Sequence, residues 1–244
     1  MSPRPPAPVP RPLAATVLAA GLGRRLGNRP KATLEIDGRS LLERLTAALR
    51  GAGIEDIGVV IGPYREALVP LAAACGLRVL AHPQPHTSLI DSQRLALAAH
   101  VAGAGLAVGA DEGPREAGAD LLLVVADLPL LAAAHVVPML QAWRQRPLGI
   151  DAMMPRVAGV RGHPVLLSWQ AVERIIATPR ELGIRDWLAA HPAAVEAFPA
   201  SDPAYVTDVD TPADVDRLRT LLHPTTVAWP AALHTAGETQ TAGR

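Results

Sequence analysis

Short apolar runs alternate along this chain with longer segments in which apolar residues recur at helical spacing. Continuous apolar runs at 16–19, 57–61 and 121–126 predict buried strands. Between them, leucine and alanine recur every three or four residues over 41–49 and 65–74, which predicts amphipathic helices. Strands that alternate with helices are typical of a parallel sheet covered on both faces. The pattern therefore predicts a single-domain α/β fold with a Rossmann-like, doubly wound, mostly parallel sheet.

The rest of the pattern sets the limits of this domain. It predicts further strands at 77–81, near Met153 and at 165–167 and 195–198, and helices that begin near Ser92 and at 131–143, 169–177, 182–190 and after Thr211. Residues 1–12 are rich in proline and are expected to be a disordered tail. Residues 103–119 lack an apolar period and are expected to be a surface insertion, and 223–244 a C-terminal tail. The domain itself is therefore placed at 13–222.

Composition excludes several classes of function. The formal net charge is 0 and the pI about 7.1, so no overall field attracts nucleic acid or an anionic membrane. No run approaches the roughly 20 apolar residues of a membrane span. Cys75 is the only cysteine, which excludes an intramolecular disulfide and favours a reducing compartment. We therefore expect a cytoplasmic protein that binds small molecules.

A glycine-rich turn follows the first predicted strand. Gly21 and Gly23 allow positive φ and remove Cβ atoms, so successive backbone N–H groups can point at a polyphosphate. Arg24 and Arg25 add positive charge directly after the turn. Lys31 closes the segment as the single lysine among 23 basic residues. Its compact ammonium group interacts with a phosphate oxygen differently from a planar guanidinium, which favours a functional role for it.

Two familiar glycine fingerprints do not fit this turn. A dinucleotide fingerprint needs glycine where the chain has Leu26, and Gly27 comes one position late. A P-loop needs Gly-Lys-Ser/Thr, but three residues separate Gly27 from Lys31, and Ala32 follows that lysine. A nicotinamide oxidoreductase is therefore disfavoured, and it ranks behind the two classes of function described below.

Acidic residues follow two of the later predicted strands. Asp127 comes at the end of the apolar run 121–126, where a carboxylate loses hydration unless a cation or hydrogen-bond donors compensate it. It could be a ligand for a cation or the N-cap of the helix predicted at 131–143. Asp208 and Asp210 precede a helix start formed by Thr211 and its following proline, and alternate residues point the same way. Either could face Asp127 and complete a two-carboxylate site for Mg²⁺.

The string LAAGLGRRLG followed by PKATLEIDGRSLLERL resembles the signature loop of the MobA-like nucleotidyltransferases. Members of that family move a nucleoside monophosphate from an NTP to a phosphorylated acceptor, with release of pyrophosphate. The resemblance implies that Asp127 and Asp208 hold Mg²⁺, with Asp210 as the alternative second ligand, and that Lys31, Arg24 and Arg25 stabilise the pyrophosphate. It also implies contacts of the nucleotide with the loop and with a later serine loop, through Leu18, Ala19, Ala20, Gly21, Gly23, Ser88 and Ser92.

The segment Gly162-His163-Pro resembles the cytidylyl-transferring branch of this family, in which the corresponding hairpin lies over the acceptor. That resemblance implies CTP as donor, molybdopterin as acceptor, and transient contact with a molybdoenzyme or its chaperone. In the serine loop, Ser92 matches the family pattern but Asp91 stands where a hydroxyl is expected, and an acid there would repel a phosphate. Two alternatives therefore stay open: transfer to a sugar or polyol phosphate, and a nucleotide-binding module without turnover.

Overall fold

The computed structural model describes residues 12–83, 88–106 and 118–231. Within those ranges the chain forms eleven strands, which are β1 Leu13–Ala19, β2 Glu35–Ile36, β3 Arg39–Ser40, β4 Ile57–Ile61, β5 Arg78–Ala81, β6 Asp120–Val125, β7 Ala152–Val157, β8 Val160–Arg161, β9 Val165–Leu167, β10 Val195–Ala200 and β11 Val227–Ala228. The helices in the same ranges are α1 Leu41–Gly51, α2 Arg65–Ala74, α3 Leu89–Leu106, α4 Ala133–Arg144, α5 Trp169–Ala177, α6 Ile184–Ala190 and α7 Pro212–Leu222.

Eight strands form one central sheet in the order β10-β7-β9-β6-β1-β4-β5, with β8 paired to β7. The pairs of β1 with β4 and β6, of β4 with β5, and of β10 with β7 are parallel. Strand β9 runs antiparallel between β6 and β7. The predicted α/β fold with a mostly parallel sheet is therefore confirmed. Because β1, β4 and β6 are adjacent and parallel, their carboxyl ends open at one edge, where open α/β sheets bind ligands.

Helices cover both faces of this sheet, as the two apolar faces of a parallel sheet require. Along β1, Val17 packs with α1, α2 and α4 on one face, and Leu18 packs with α3, α5 and α6 on the other. Both side chains are buried. The core is almost entirely aliphatic, in agreement with the low aromatic content of the sequence.

A second, three-stranded sheet with the order β11-β2-β3 packs beside α7. Val227 in β11 pairs with Ile36 in β2, and both are buried together with Trp229. The predicted tail at 223–244 is therefore wrong at its start, because Val227 and Ala228 form a strand of this small sheet and Trp229 is buried in the same cluster. The two residues of β11 are too few to show an apolar period, so their burial follows from pairing with a distant strand.

One other predicted boundary also changes. Helix α3 continues to Leu106, into the predicted surface insertion at 103–119, of which residues 107–117 lie outside the described part of the chain. The proline-rich tail predicted at 1–12 lies outside it too, except for Pro12. Among the helices that the structure describes, none is long and apolar enough to cross a membrane.

Candidate active site

The glycine turn after β1 takes its shape from Gly23 and Gly27, whose φ angles are 54° and 71°. A Cβ atom at Gly23 would lie 2.0 Å from the carbonyl oxygen of Arg29, so only glycine fits there. Gly21 has no positive φ and has open space around it, so the freedom of φ that glycine allows at this position is not used. The turn is therefore a tight, closed loop at the edge where β1 ends.

The residues predicted to bind substrate in this loop differ in exposure. Leu18, Ala19 and Ala20 are buried, so any contact of theirs with a nucleotide runs through the main chain. Arg24 and Arg25 lie in a short 3-10 turn with exposed side chains, and neither forms an ion pair with another described residue. Their guanidinium groups remain available for an anion.

Lys31 brings two distant acids together. Its Nζ donates a hydrogen bond of 2.7 Å to Oδ2 of Asp127 and a second one to Asp210. Burial alone would lower the pKa of Lys31, but the negative charges of Asp127 and then Asp210 outweigh it and raise that pKa. The single lysine therefore joins the acid after β6 to one of the two acids before α7, and the roles predicted for these residues stay predictions.

Asp127 keeps one carboxylate oxygen without a partner in the part of the chain that the structure describes. Its Oδ1 is buried and accepts no hydrogen bond from a described residue. The N-cap of α4 is Ala132, so the alternative of Asp127 as a helix cap is wrong. The main chain of Asp127 is fixed instead, because its carbonyl accepts a 3.1 Å hydrogen bond from the Val209 N–H. This bond ties the loop after β6 to the loop that carries Asp208 and Asp210.

Asp208 is the most exposed of the three acids. Its pKa is raised, first by partial loss of water and then by the negative charges of Asp210 and Asp127. Three carboxylates thus share one ammonium group, and the excess negative charge suits a cation. Carboxylate oxygens are ligands that Mg²⁺ accepts, so Asp127 and Asp208 fit such an ion. No group of three His, Cys, Asp or Glu side chains among the described residues could hold a metal by itself.

Asp214 fixes the main chain of this acidic loop. Its Oδ2 accepts hydrogen bonds from the Asp210 N–H at 3.0 Å and from the Thr211 N–H and hydroxyl, both at 2.7 Å. The predicted start of α7, with Thr211 as N-cap, is confirmed. The same carboxylate that caps the helix therefore also orients the backbone of Asp210, which the sequence alone did not indicate.

The two serines that were predicted to contact the nucleotide form hydrogen bonds within the protein. Ser88 and Asp91 form the N-terminal cap of α3, with the Ser88 N–H and hydroxyl each donating at 2.8 Å to Asp91. These donors lower the pKa of Asp91. Ser92 is buried, with its Oγ 3.1 Å from Nε2 of His82. Asp91 is thus a capping residue, and a nucleotide contact of either serine stays a prediction.

The hairpin residues Gly162 and His163 pack against the loop before the acids. A Cβ atom at Gly162 would lie 2.3 Å from the Tyr205 carbonyl oxygen, and the His163 N–H donates to that oxygen at 2.9 Å. Burial lowers the pKa of His163, although the nearby charge of Asp127 opposes this shift. Nδ1 of His163 is buried without a partner among the described residues. The hairpin therefore lies beside the acidic centre, which consists of Asp127, Asp208 and Asp210. Contact of the hairpin with an acceptor stays a prediction.

Sequence reasoning missed the segment after β4. A Cβ atom at Gly62 would lie 2.8 Å from the Ala20 carbonyl oxygen, and the Tyr64 hydroxyl donates to the Leu22 carbonyl at 2.6 Å. The available signal was a glycine directly after a buried strand that is parallel to β1. Such a glycine marks close approach of two main chains.

An apolar groove of about 700 Å³ adjoins the acids. Asp208 lines one part of it, and Pro129, Val209 and Leu221 contribute apolar surface. The side chain of Leu221 on α7 is 65% exposed. The loops that carry Asp127 and Asp208 therefore also form walls of a groove large enough for a small organic molecule.

Known proteins are similar to this chain in sequence and in fold. The chain is 26% identical to nicotine blue oxidoreductase from Paenarthrobacter nicotinovorans over 207 residues, which cover 83% of this chain and 94% of the relative. It is 38% identical over 85 residues to CMP-5'-(3-aminopropyl)phosphonate synthase from Streptomyces rubellomurinus, a match that covers 32% of this chain but only 14% of that longer protein.

A solved structure shows the same fold. Rv0371c from Mycobacterium tuberculosis H37Rv matches with a TM-score of 0.65 at 24% identity, over 85% of this chain and 97% of its own. Its complex with manganese matches with a TM-score of 0.60 at 23% identity, again over 85% and 97%. The family model of the MobA-like NTP transferase domain matches residues 15–195, which span most of the sheet and the glycine turn. The resemblance read from the glycine turn and Lys31 is thereby confirmed, and the chain belongs to the MobA-like NTP transferase family.

Proposed function

We propose that this protein transfers CMP from CTP to a phosphorylated acceptor, molybdopterin, and releases pyrophosphate. The observation that carries the proposal is the position of Lys31 between Asp127 and Asp210, close in sequence to the glycine turn. An oxygen of the acceptor phosphate would form a bond to the α-phosphorus of the nucleotide. The bond from that phosphorus to the oxygen that bridges it to the β-phosphorus would break, and pyrophosphate would leave with the electron pair.

Different residues would neutralise different charges during the reaction. The acceptor phosphate is already largely ionised at pH 7, so no side chain has to remove a proton from it. The ammonium of Lys31 and the free guanidinium groups of Arg24 and Arg25 would neutralise charge on the leaving pyrophosphate. The N–H groups of the glycine turn would hold the phosphates through directed hydrogen bonds. Binding, orientation and charge neutralisation are therefore sufficient for the reaction.

Asp127 and Asp208 are the residues that would hold a magnesium ion. Oδ1 of Asp127, which has no hydrogen-bond partner among the described residues, and the raised pKa of Asp208 both suit a second cation besides Lys31. When bound, Mg²⁺ would supply charge neutralisation at the triphosphate. The manganese complex of Rv0371c supports a divalent ion in a protein of this fold.

Three observations support the choice of substrates. The name of the Streptomyces relative contains a CMP group joined to a phosphonate, which is the type of product that CMP transfer gives. The hairpin with His163 lies beside the acids, where the resemblance to the cytidylyl branch puts the acceptor. The groove beside Asp208 has mainly apolar walls, which suits a heterocyclic acceptor better than a polyol phosphate. We propose cytoplasmic action, with delivery of the product to a molybdoenzyme or its chaperone.

The decisive experiment measures pyrophosphate release with each of the four NTPs and Mg²⁺, with and without molybdopterin. We expect release only with CTP and the acceptor together, and none from the Asp127→Ala variant. Release with a sugar or polyol phosphate instead would move the proposal to that acceptor class. Tight NTP binding that Asp127→Ala does not change, with no pyrophosphate from any pair, would identify a nucleotide-binding module.

An oxidoreductase is the second candidate, because the match to nicotine blue oxidoreductase covers 83% of this chain and 94% of that protein. The residues of the site disfavour an oxidoreductase, because an acidic cluster with one lysine suits the binding of a polyphosphate and a cation rather than hydride transfer. Oxidation of a nicotinamide cofactor, followed by its absorbance with candidate organic acceptors, distinguishes the two. Turnover in that assay, without pyrophosphate release from any NTP, would favour the oxidoreductase.

A further inference from the structure

The segment that follows β4 lies against the glycine turn that follows β1. These two strands are parallel neighbours, with Ala19 paired to Ile61 at their carboxyl ends. The next residues on each chain therefore leave the sheet side by side. Gly62 packs so closely on Ala20 that an added Cβ atom would lie 2.8 Å from its carbonyl oxygen and 3.0 Å from its Cβ. A larger residue at position 62 would push the two segments apart.

Tyr64 joins this segment to the turn itself. Its hydroxyl donates a 2.6 Å hydrogen bond to the carbonyl oxygen of Leu22, which lies between Gly21 and Gly23. Burial raises the pKa of Tyr64, so the hydroxyl stays protonated and remains a donor at neutral pH. Next to it, Arg65 donates at 2.5 Å to the carbonyl of His82 after β5. The segment is thus anchored on a third strand end and can act as a fixed support.

A hydrogen bond to the Leu22 carbonyl also sets the direction of the next N–H group. The peptide between Leu22 and Gly23 is planar, and in a trans peptide the C=O and N–H bonds point in opposite directions. With the carbonyl held by Tyr64, the Gly23 N–H points away from Tyr64. No hydrogen bond from that N–H to another described residue is found. Gly23 is buried, so this unpaired N–H is a donor that a ligand bound in the turn would satisfy.

We propose that Tyr64 is a positioning residue for triphosphate binding, which holds the Leu22 carbonyl so that the Gly23 N–H faces a phosphate oxygen. This inference rests on the proposed function of the site as an NTP site. Tyr64 itself touches no phosphate in this arrangement and acts through the main chain of the turn. Its loss should weaken the nucleotide specifically and leave the acceptor unaffected.

The test is the Tyr64→Phe variant, which removes only the hydroxyl group. We expect the Kd of CTP with Mg²⁺, measured by calorimetry, and the KM for CTP to rise about tenfold. The KM for the acceptor should stay within about twofold. The chain supplies a matched control, because its only other tyrosine, Tyr205, also donates its hydroxyl to a backbone carbonyl, that of His135 at 2.8 Å. Both Tyr→Phe variants should lower the melting temperature by a similar amount, because each loses one hydrogen bond. Only Tyr205→Phe should leave the Kd of CTP unchanged.

A second measurement follows the turn directly. Protein labelled with 3-fluorotyrosine should give two ¹⁹F signals, which the two Tyr→Phe variants assign. CTP with Mg²⁺ should shift the Tyr64 signal and leave the Tyr205 signal in place. If the wild-type protein binds CTP but neither the Kd of Tyr64→Phe nor the Tyr64 signal changes, this inference is wrong while the proposed function stands. If the wild-type protein binds none of the four NTPs, both are wrong.

Discussion

The acidic centre and the beginning of α3 are two regions of one sheet edge that are held by opposite kinds of contact. In the acidic centre, Lys31 bonds to Asp127 and Asp210, which are 96 and 179 residues away in the sequence. At the beginning of α3, Ser88 bonds to Asp91 and Ser92, only three and four residues away. The first region exists only in the folded chain, whereas the second could form in an isolated helix.

The two regions also differ in how well their polar groups are satisfied. Asp91 accepts hydrogen bonds from Ser88, and Ser92 lies within bonding distance of His82. In the acidic centre, Oδ1 of Asp127 has no partner among the described residues, and the pKa of Asp208 is raised by its acidic neighbours. Groups that the protein leaves unsatisfied are the ones available to a ligand. The comparison thus puts phosphate and cation chemistry at the acids and a structural role at the start of α3.

The largest expected effect comes from one substitution made in both regions. Asp127→Asn should lower the rate of pyrophosphate release by about 1,000-fold, because a charged ligand for the cation becomes neutral. Asp91→Asn should change that rate by less than about twofold, because Asp91 only caps a helix. Steady-state assays on both variants, with circular dichroism to confirm folding, measure the difference. Equal losses in the two variants would contradict the comparison.

Lys31→Met should separate metal binding from turnover. The rate should fall about 100-fold, because the cation that faces the pyrophosphate is lost. In the absence of nucleotide, however, the variant should bind Mn²⁺ about tenfold more tightly, because no ammonium group competes for Asp127 and Asp210. Electron paramagnetic resonance of free Mn²⁺ measures this affinity.

Arg24→Met is the matched control for this metal measurement, because Arg24 is an exposed cation without an ion pair to a described residue. Its Mn²⁺ affinity should stay within about twofold of the wild-type value. Weaker metal binding in Lys31→Met would show that the lysine supports the cation site instead of competing for it.

Leu221→Gln tests whether the groove next to the acidic centre binds the acceptor. We expect the KM for the acceptor to rise about fivefold, because part of a leucine side chain would no longer be covered by the substrate, while the KM for CTP stays constant. Leu148→Gln is the control, since Leu148 is 100% exposed and does not line the groove. Similar KM values for the acceptor in both variants would remove the groove from the site.

The smallest effect should come from Ser88→Ala at the start of α3. Loss of the cap should lower the free energy of unfolding by about 1 kcal/mol, or the melting temperature by about 2–4 °C. The Kd of CTP should not change if Ser88 only caps the helix. Ser40→Ala removes the equivalent cap of α1 and should cost a similar amount. A tenfold weaker Kd in Ser88→Ala alone would restore the nucleotide contact implied by the family resemblance.

Local features of the structure were largely predictable. Strand β4 and helices α2 and α5 begin and end where the apolar pattern predicted, because each pattern reflects burial of one regular element. The helix start at Thr211 formed as expected, since its cap involves residues three positions apart. Predictions failed where the structure depends on contact with a distant segment. Examples are the pairing of β11 with β2 and the hydrogen bond from Tyr64 to Leu22.

By itself, the sequence determined the order of strands and helices, the glycine turn, the single lysine, the acid that follows β6 and the two acids that precede α7. Residue type and spacing within a few positions are enough for these features. Only the tertiary structure decided which acids face Lys31, that Asp127 keeps a free oxygen, and that Ser92 turns inward to His82. Those outcomes depend on sheet order, which brings residues more than 90 positions apart to one edge, and no local pattern records it.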